Sequence, residues 1–222
     1  MQPELSDRVA QIWMQAVPPL AELLPHLGIL SPEEQDRAER FQLQADRCRF
    51  WAGRLLLRTL LSHYSGMPPQ AIPIQYTATG KPHWAEPSQP IQFNLSHSHG
   101  RILIGLMLKR RIGVDLEWIR PVPHWQRIAQ RYFSATEQAR LADCRAPERD
   151  PLFFQLWTQK EALLKGMGIG LAGYTALARD PDWVTLPLAL GEGYAAAVAM
   201  ERLGEEPPTV LLHIDETDAE ER

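Results

Sequence analysis

Apolar residues recur at helical spacing between Cys48 and Tyr64, where Leu56, Leu57, Leu60 and Leu61 mark the core face of one helix. The polar stretch before it predicts another helix, running from Ser31-Pro32-Glu33-Glu34 to about Arg47. Ser31 can cap it, Pro32 suits its first position, and Glu34 completes a capping box. Pro68-Pro69 ends this section, Ile72, Ile74 and Tyr76 alternate as a short strand, and Gly80-Lys81-Pro82 reads as a turn. A strand is expected over Ile91 to Asn94, then a polar turn, Ser96-His97-Ser98-His99-Gly100. The apolar runs Ile102 to Leu108 and Ile112 to Glu117 flank Lys109-Arg110-Arg111, as the arms of a hairpin flank a basic turn.

The second half begins again with helices. They are expected over Val122 to Tyr132, from the capping box Ser134-Ala135-Thr136-Glu137 to about Asp143, and over Leu152 to Lys165. Gly166, Gly168 and Gly170 close the last of these. Strands follow at Trp183 to Leu186, Tyr194 to Met200 and Thr209 to Ile214, and then an acidic tail from Asp215 to Arg222. Both halves therefore read as helices first and strands second. The expectation is an α+β chain of two similar units, residues 1–110 and 111–222.

Composition narrows the function classes. At about 150 residues per domain, 222 residues lie between one domain and two. With 23 basic and 27 acidic residues the net charge is −4, which counts against a general nucleic-acid binder. Two cysteines, Cys48 and Cys144, make no disulfide framework and suit a reducing compartment. There is no apolar run of about 18 residues to span a membrane, and Met1 to Asp7 has no secretory apolar core. A cytoplasmic location is the expectation.

Three clusters could carry chemistry. In Gly113-Val114-Asp115-Leu116-Glu117, strand alternation turns Val114 and Leu116 to the core and Asp115 and Glu117 together to the other face. Paired carboxylates suit a hard divalent cation such as Mg²⁺, or else form an exposed acidic face. In Trp157-Thr158-Gln159-Lys160-Glu161-Ala162-Leu163-Leu164-Lys165, Trp157, Glu161 and Lys165 fall on one helical stripe. Glu161 could be a third carboxylate or a base, and Lys160 and Lys165 could offset phosphate charge. The bland reading is a solvated surface pair. Phe93-Asn94-Leu95-Ser96-His97-Ser98-His99 offers hydroxyls and imidazoles suited to phosphate or ribose, although such residues are also ordinary in turns. Arginines gather on the first two helices, among them Arg37, Arg40 and Arg49.

In this order the motifs resemble one family. Leu30-Ser31-Pro32-Glu33-Glu34, Arg40-Phe41, Gly80-Lys81-Pro82, Phe93 to Ser98, Gly113 to Glu117, Phe133-Ser134-x-x-Glu137 and Trp157-Thr158-x-Lys160-Glu161-Ala162-x-x-Lys165-x-x-Gly168-x-Gly170-Leu171 look like a 4′-phosphopantetheinyl transferase. More narrowly they resemble the long, monomeric surfactin-synthetase-activating type. The resemblance implies an α+β pseudo-dimer whose active site lies in the cleft between its two subdomains. It also implies transfer of the 4′-phosphopantetheine arm of coenzyme A to a serine of an apo acyl or peptidyl carrier protein, with release of adenosine 3′,5′-bisphosphate. By position, Asp115, Glu117 and Glu161 would hold Mg²⁺, or Mn²⁺ in its place, and Asp115, Glu161 and Lys165 would act in catalysis. Lys160, Lys165, Lys81 and His97, with Ser96 beside them, would meet the coenzyme phosphates. Arg49, with Arg37 and Arg40, would lie at its adenine and 3′-phosphate end. One departure is that relatives often carry a basic residue where this chain has Glu33-Glu34. Arg110 and Arg111, with Arg127 and Arg131, are candidates for docking an acidic carrier.

Overall fold

A computed structural model describes residues 4–78, 80–86, 90–170, 182–202, 204 and 207–215. The order of elements is β1 (Val9–Ala16), α1 (Leu20–Leu23), α2 (Pro32–Glu39), α3 (Gln44–Ser65), β2 (Ile74–Tyr76), β3 (Pro82–Trp84), β4 (Ile91–Ser98), β5 (Arg101–Leu108), β6 (Ile112–Trp118), α4 (Trp125–Tyr132), α5 (Ala135–Asp143), α6 (Ala146–Met167), β7 (Trp183–Leu188), β8 (Tyr194–Glu201) and β9 (Thr209–Ile214). The fold is α+β, and its two main sheets run β4-β5-β1-β9 and β6-β8-β7.

Alternation along β5 and β6 sets the layers. Ile102, Ile104 and Leu106 pack with Leu57, Leu60 and Leu61 of α3. Leu103 and Met107, on the opposite face, join Ile12, Ile112, Val114, Leu116 and Val198 in a core between the two sheets. The far face of the second sheet packs Ala197, Ala199 and Trp183 under Ala162 of α6. Odd-numbered positions of β6 therefore face α6, which brings Asp115 and Glu117 beneath the long helix.

α6 approaches β6 with no side chain between them. A β-carbon at Gly113 would overlap the Ala162 carbonyl oxygen and the Gly166 amide nitrogen, and one at Gly166 would meet Trp183 at 2.5 and 2.8 Å. Gly166 is inside the helix, and Gly168, at φ 76°, is the residue that ends it.

Several expectations are corrected. The anticipated hairpin between Ile102–Leu108 and Ile112–Glu117 does not form, because β5 pairs with β4 and β1 whereas β6 pairs with β8. Lys109, at φ 61°, turns the chain out of the first sheet into the second. The residues expected as a polar turn, Ser96 to Ser98, are strand, and the true hairpin is β4–β5. The first unit opens with a strand, β1, that was not foreseen. The polar helix expected to reach Arg47 stops at Glu39, and the next starts at Gln44. β9 pairs in parallel with β1, so a segment of 111–222 completes the sheet of the first unit. Leu171 and residues 216–222 of the tail lie outside the described residues.

Candidate active site

The edges of the two sheets are joined by side chains. In β6 the N–H groups of Gly113, Asp115 and Glu117 lie in the register shared with β8, and the alternate N–H groups face β4. Val114 N–H donates to Asn94 Oδ1 at 2.9 Å, Leu116 N–H to Ser96 Oγ at 3.2 Å and Trp118 N–H to Ser98 Oγ at 3.0 Å. Short polar side chains at alternate positions of β4 thus replace a missing strand-to-strand ladder.

The two hydroxyls also orient the two carboxylates. Ser96 Oγ–H donates to Asp115 Oδ1 at 3.0 Å, and Ser98 Oγ–H donates to Glu117 Oε2 at 3.1 Å. Lys165 Nζ reaches across from α6 to Asp115 Oδ1 at 2.6 Å and to Ser96 Oγ at 3.0 Å. Ser96 Oγ therefore gives one hydrogen bond and accepts two, which is its full capacity. Asp115 is 4% exposed, and its second oxygen, Oδ2, is buried without a hydrogen-bond partner among the described residues.

Glu161 lies one helical turn before Lys165 on α6. Burial raises its carboxyl pKa above the ordinary value, the Asp115 carboxylate adds to the rise, Lys165 opposes it, and Glu117 raises it further. Glu161 thus feels both other acids, and Lys165 is the cation that offsets them. Among the described residues no group of three His, Cys, Asp or Glu side chains is gathered tightly enough to hold a metal. The donor set nevertheless suits a hard cation. It consists of carboxylate oxygens, and one of them, Asp115 Oδ2, is buried and unsatisfied, a state that is costly for a polar atom.

A cleft of about 220 Å³ opens beside this cluster, lined by Lys81, Asn94 and Leu95 from the first unit and Glu161, Lys165 and Gly170 from the second. A cleft between the two units is what the family resemblance implied. Lys81 Nζ is turned inward, where it donates to the carbonyls of Lys165 and Gly166 at 2.6 and 3.0 Å. His97 keeps an exposed surface, and partial burial of its imidazole, with repulsion by Lys165 and Arg49, lowers its pKa.

Other expected site residues stand elsewhere. Lys160 pairs with Glu137 at 2.9 Å. Arg49 pairs with Asp46 and donates to the His99 carbonyl at 3.3 Å. Arg37 lies over the rings of Tyr76 and Phe50 at 5.2 and 5.8 Å, and Arg40 is exposed at the end of α2. Glu34 is internal, 1% exposed, with its carboxylate 2.7 Å from Arg58. Arg110 is only 5% exposed, whereas Arg111, which pairs with Glu201 at 2.6 Å, and Arg127 and Arg131 are exposed. Asn94 and Ser98 belong to the stretch read as suited to phosphate or ribose, but their bonds to the backbone of β6 are not foreseen. Their signal was the period-two run of short polar side chains at positions 94, 96 and 98.

Known proteins match along most of the chain. A family model described as the 4′-phosphopantetheinyl transferase superfamily matches residues 111–203, and one for the 4′-phosphopantetheinyl transferase N-terminal region matches residues 15–106. The 4′-phosphopantetheinyl transferase HetI of Nostoc sp. is 34% identical over 219 residues, covering 91% of this chain and 92% of that protein. A putative 4′-phosphopantetheinyl transferase of Synechocystis sp., slr0495, is 39% identical over 165 residues, covering 73% of this chain and 66% of that protein. The 4′-phosphopantetheinyl transferase Sfp of Bacillus subtilis is 33% identical over 147 residues, covering 66% of this chain and 63% of that protein. Two units meeting at a carboxylate-and-lysine cleft, each matched by its own family model, show that the chain belongs to the 4′-phosphopantetheinyl transferase superfamily and is an enzyme of that kind.

Proposed function

We propose that the chain takes coenzyme A as donor and transfers its 4′-phosphopantetheine arm to a serine of an apo acyl or peptidyl carrier protein, releasing adenosine 3′,5′-bisphosphate in a Mg²⁺-dependent reaction. The observation that carries this reading is the cluster of Asp115, Ser96, Lys165 and Glu161 at a cleft walled by both units. In the reaction the carrier serine oxygen bonds to the β-phosphorus as the pyrophosphate link breaks, and negative charge spreads over the phosphoryl oxygens and the leaving group. Asp115, Glu117 and Glu161 would hold Mg²⁺, or Mn²⁺, which when bound neutralises that charge. Lys165, already fixed by Ser96 and Asp115, supplies a positive charge with little reorganisation. Glu161, on the cleft wall one helical turn before Lys165, would receive the serine proton.

The match to the Nostoc protein HetI covers 92% of that protein and the match to Sfp 63%, which favours a HetI-like member over the surfactin-synthetase-activating type that the resemblance implied. Because one chain supplies both walls of the cleft, a monomer suffices. The free thiols of Cys48 and Cys144 accord with a cytoplasmic site of action, and no helix among the described residues is long and apolar enough to cross a membrane. The test is product release. Adenosine 3′,5′-bisphosphate should appear only when coenzyme A, Mg²⁺ and an apo carrier are all present, and chelation should stop it. Release without a carrier, or full release in chelator, refutes the proposal.

Glu161→Gln separates chemistry from stability. Loss of the base should lower turnover about 10²–10⁴-fold. The metal-free variant should melt above wild type at pH 7. The folded pKa is raised above the ordinary 4.5, so the folded state holds its proton more tightly than the unfolded chain does. The stability derived from this group falls as pH rises from the unfolded value through the folded one, and the loss is complete above both. Glutamine removes that cost. Wild-type turnover at saturating Mg²⁺, or a lower melting temperature, contradicts these roles.

A further inference from the structure

Lys81 presents a contact that the transfer reaction does not require. An α-helix ends with carbonyls that lack partners within the helix. At the end of α6 the Leu164 carbonyl accepts from the N–H groups of Gly168 and Ile169 at 2.8 and 3.3 Å. The carbonyls of Lys165 and Gly166 are instead taken by one ammonium, Lys81 Nζ, from a loop of the other unit. A cation is favoured there both as a donor and against the negative end of the helix dipole.

The loop is built to hold it. Thr77 Oγ1 accepts from Lys81 N–H at 3.1 Å, Thr77 N–H donates to the Lys81 carbonyl at 2.9 Å, and Gly80 N–H donates to the Thr77 carbonyl at 2.8 Å. Gly80, at φ 80°, allows this tight return between β2 and β3. The ammonium is turned into the protein, and burial, with the charge of Arg111 acting in the same direction, lowers its pKa to about 8. On its other side the same helix turn rests on Gly113 and Trp183. Lys165 is thus held at both ends: its side chain by Ser96 and Asp115, its carbonyl by Lys81.

We propose that Lys81 is a positioning residue that pins the last turn of α6 to the first unit, and so sets where Lys165 and Glu161 stand, instead of gripping a coenzyme phosphate. This rests on the transferase reading above. The test compares Lys81→Met and Lys81→Arg with wild type in kcat, in KM for coenzyme A, and in hydrogen–deuterium exchange of residues 164–169. Lys81→Met should lower kcat by about 10²-fold, the scale of a misplaced catalytic group, with KM for coenzyme A within about twofold of wild type. Lys81→Arg, whose guanidinium can also donate to both carbonyls, should recover most of kcat. Exchange at the end of α6 should rise in Lys81→Met and return to wild type in Lys81→Arg. A large rise in KM at unchanged kcat, or unchanged exchange in Lys81→Met, overturns the proposal. If wild type transfers nothing to any carrier, the transferase reading fails, while the exchange measurement still decides whether Lys81 pins the helix.

Discussion

Asp115→Asn protein is expected to fold and to turn over about 10²–10³-fold more slowly than wild type, the scale of losing one preorganised electrostatic group from a reaction centre. Asp115 is the hub of the cluster, because its Oδ1 receives both the Ser96 hydroxyl and the Lys165 ammonium. Asparagine keeps the shape but loses the charge that holds Lys165, and it offers a metal a weaker, neutral oxygen. The fold should survive. Lys165 is about a third exposed and can return to water when its partner is neutralised, so the penalty of stranding a buried charge is largely avoided. Turnover and a melting curve on the same preparation test this. Near wild-type turnover removes Asp115 from the reaction, whereas loss of folding makes it a structural residue.

Gly113→Ala should fail more completely. The added carbon would collide with backbone atoms of α6, including Gly166 Cα at 2.7 Å, and a backbone cannot swing aside as a side chain tip can. To admit it, α6 must lift from β6, which strips packing from Ala162 and carries Lys165 and Glu161 away from Asp115. A destabilisation above about 4 kcal/mol is expected, in the range reached only by severe overpacking and broken buried contacts. Most of the variant should be insoluble, and any soluble fraction should be inactive. Gly28→Ala is the matched control, because its new carbon meets nothing within 4 Å and should change melting little. A soluble, active Gly113→Ala protein would mean that the helix does not rest on the strand in this way.

Local signals in the sequence were reliable where local chemistry decides the outcome. The capping boxes at Ser31/Glu34 and Ser134/Glu137 are formed, with each serine and glutamate exchanging bonds with the opposite backbone. Alternation in Gly113 to Glu117 put the two acids on one face, and the helical stripe placed Glu161 and Lys165 one turn apart. Pairing between distant segments was not legible. The short basic turn at Lys109 to Arg111 looks like a hairpin, but the strands on either side of it belong to different sheets, because β5 pairs back with β4 and β1 whereas β6 pairs with the distant β8. β1 escaped notice because buried Gln11 interrupts its apolar pattern. Ser96 and Ser98 looked like turn residues, since nothing local reveals that their hydroxyls bond a strand 20 residues later. Gly166 read as a helix stop because the demand for glycine comes from Trp183 and β6, not from the helix.

The mass of an apo carrier protein, weighed before and after incubation with the chain, coenzyme A and Mg²⁺, decides whether the cleft performs the proposed transfer. A gain of one phosphopantetheine on the wild-type carrier, absent when its acceptor serine is alanine and absent with Asp115→Asn over the same interval, is the predicted result. Unchanged mass across acyl and peptidyl carriers, with folded protein and saturating coenzyme A, would contradict it.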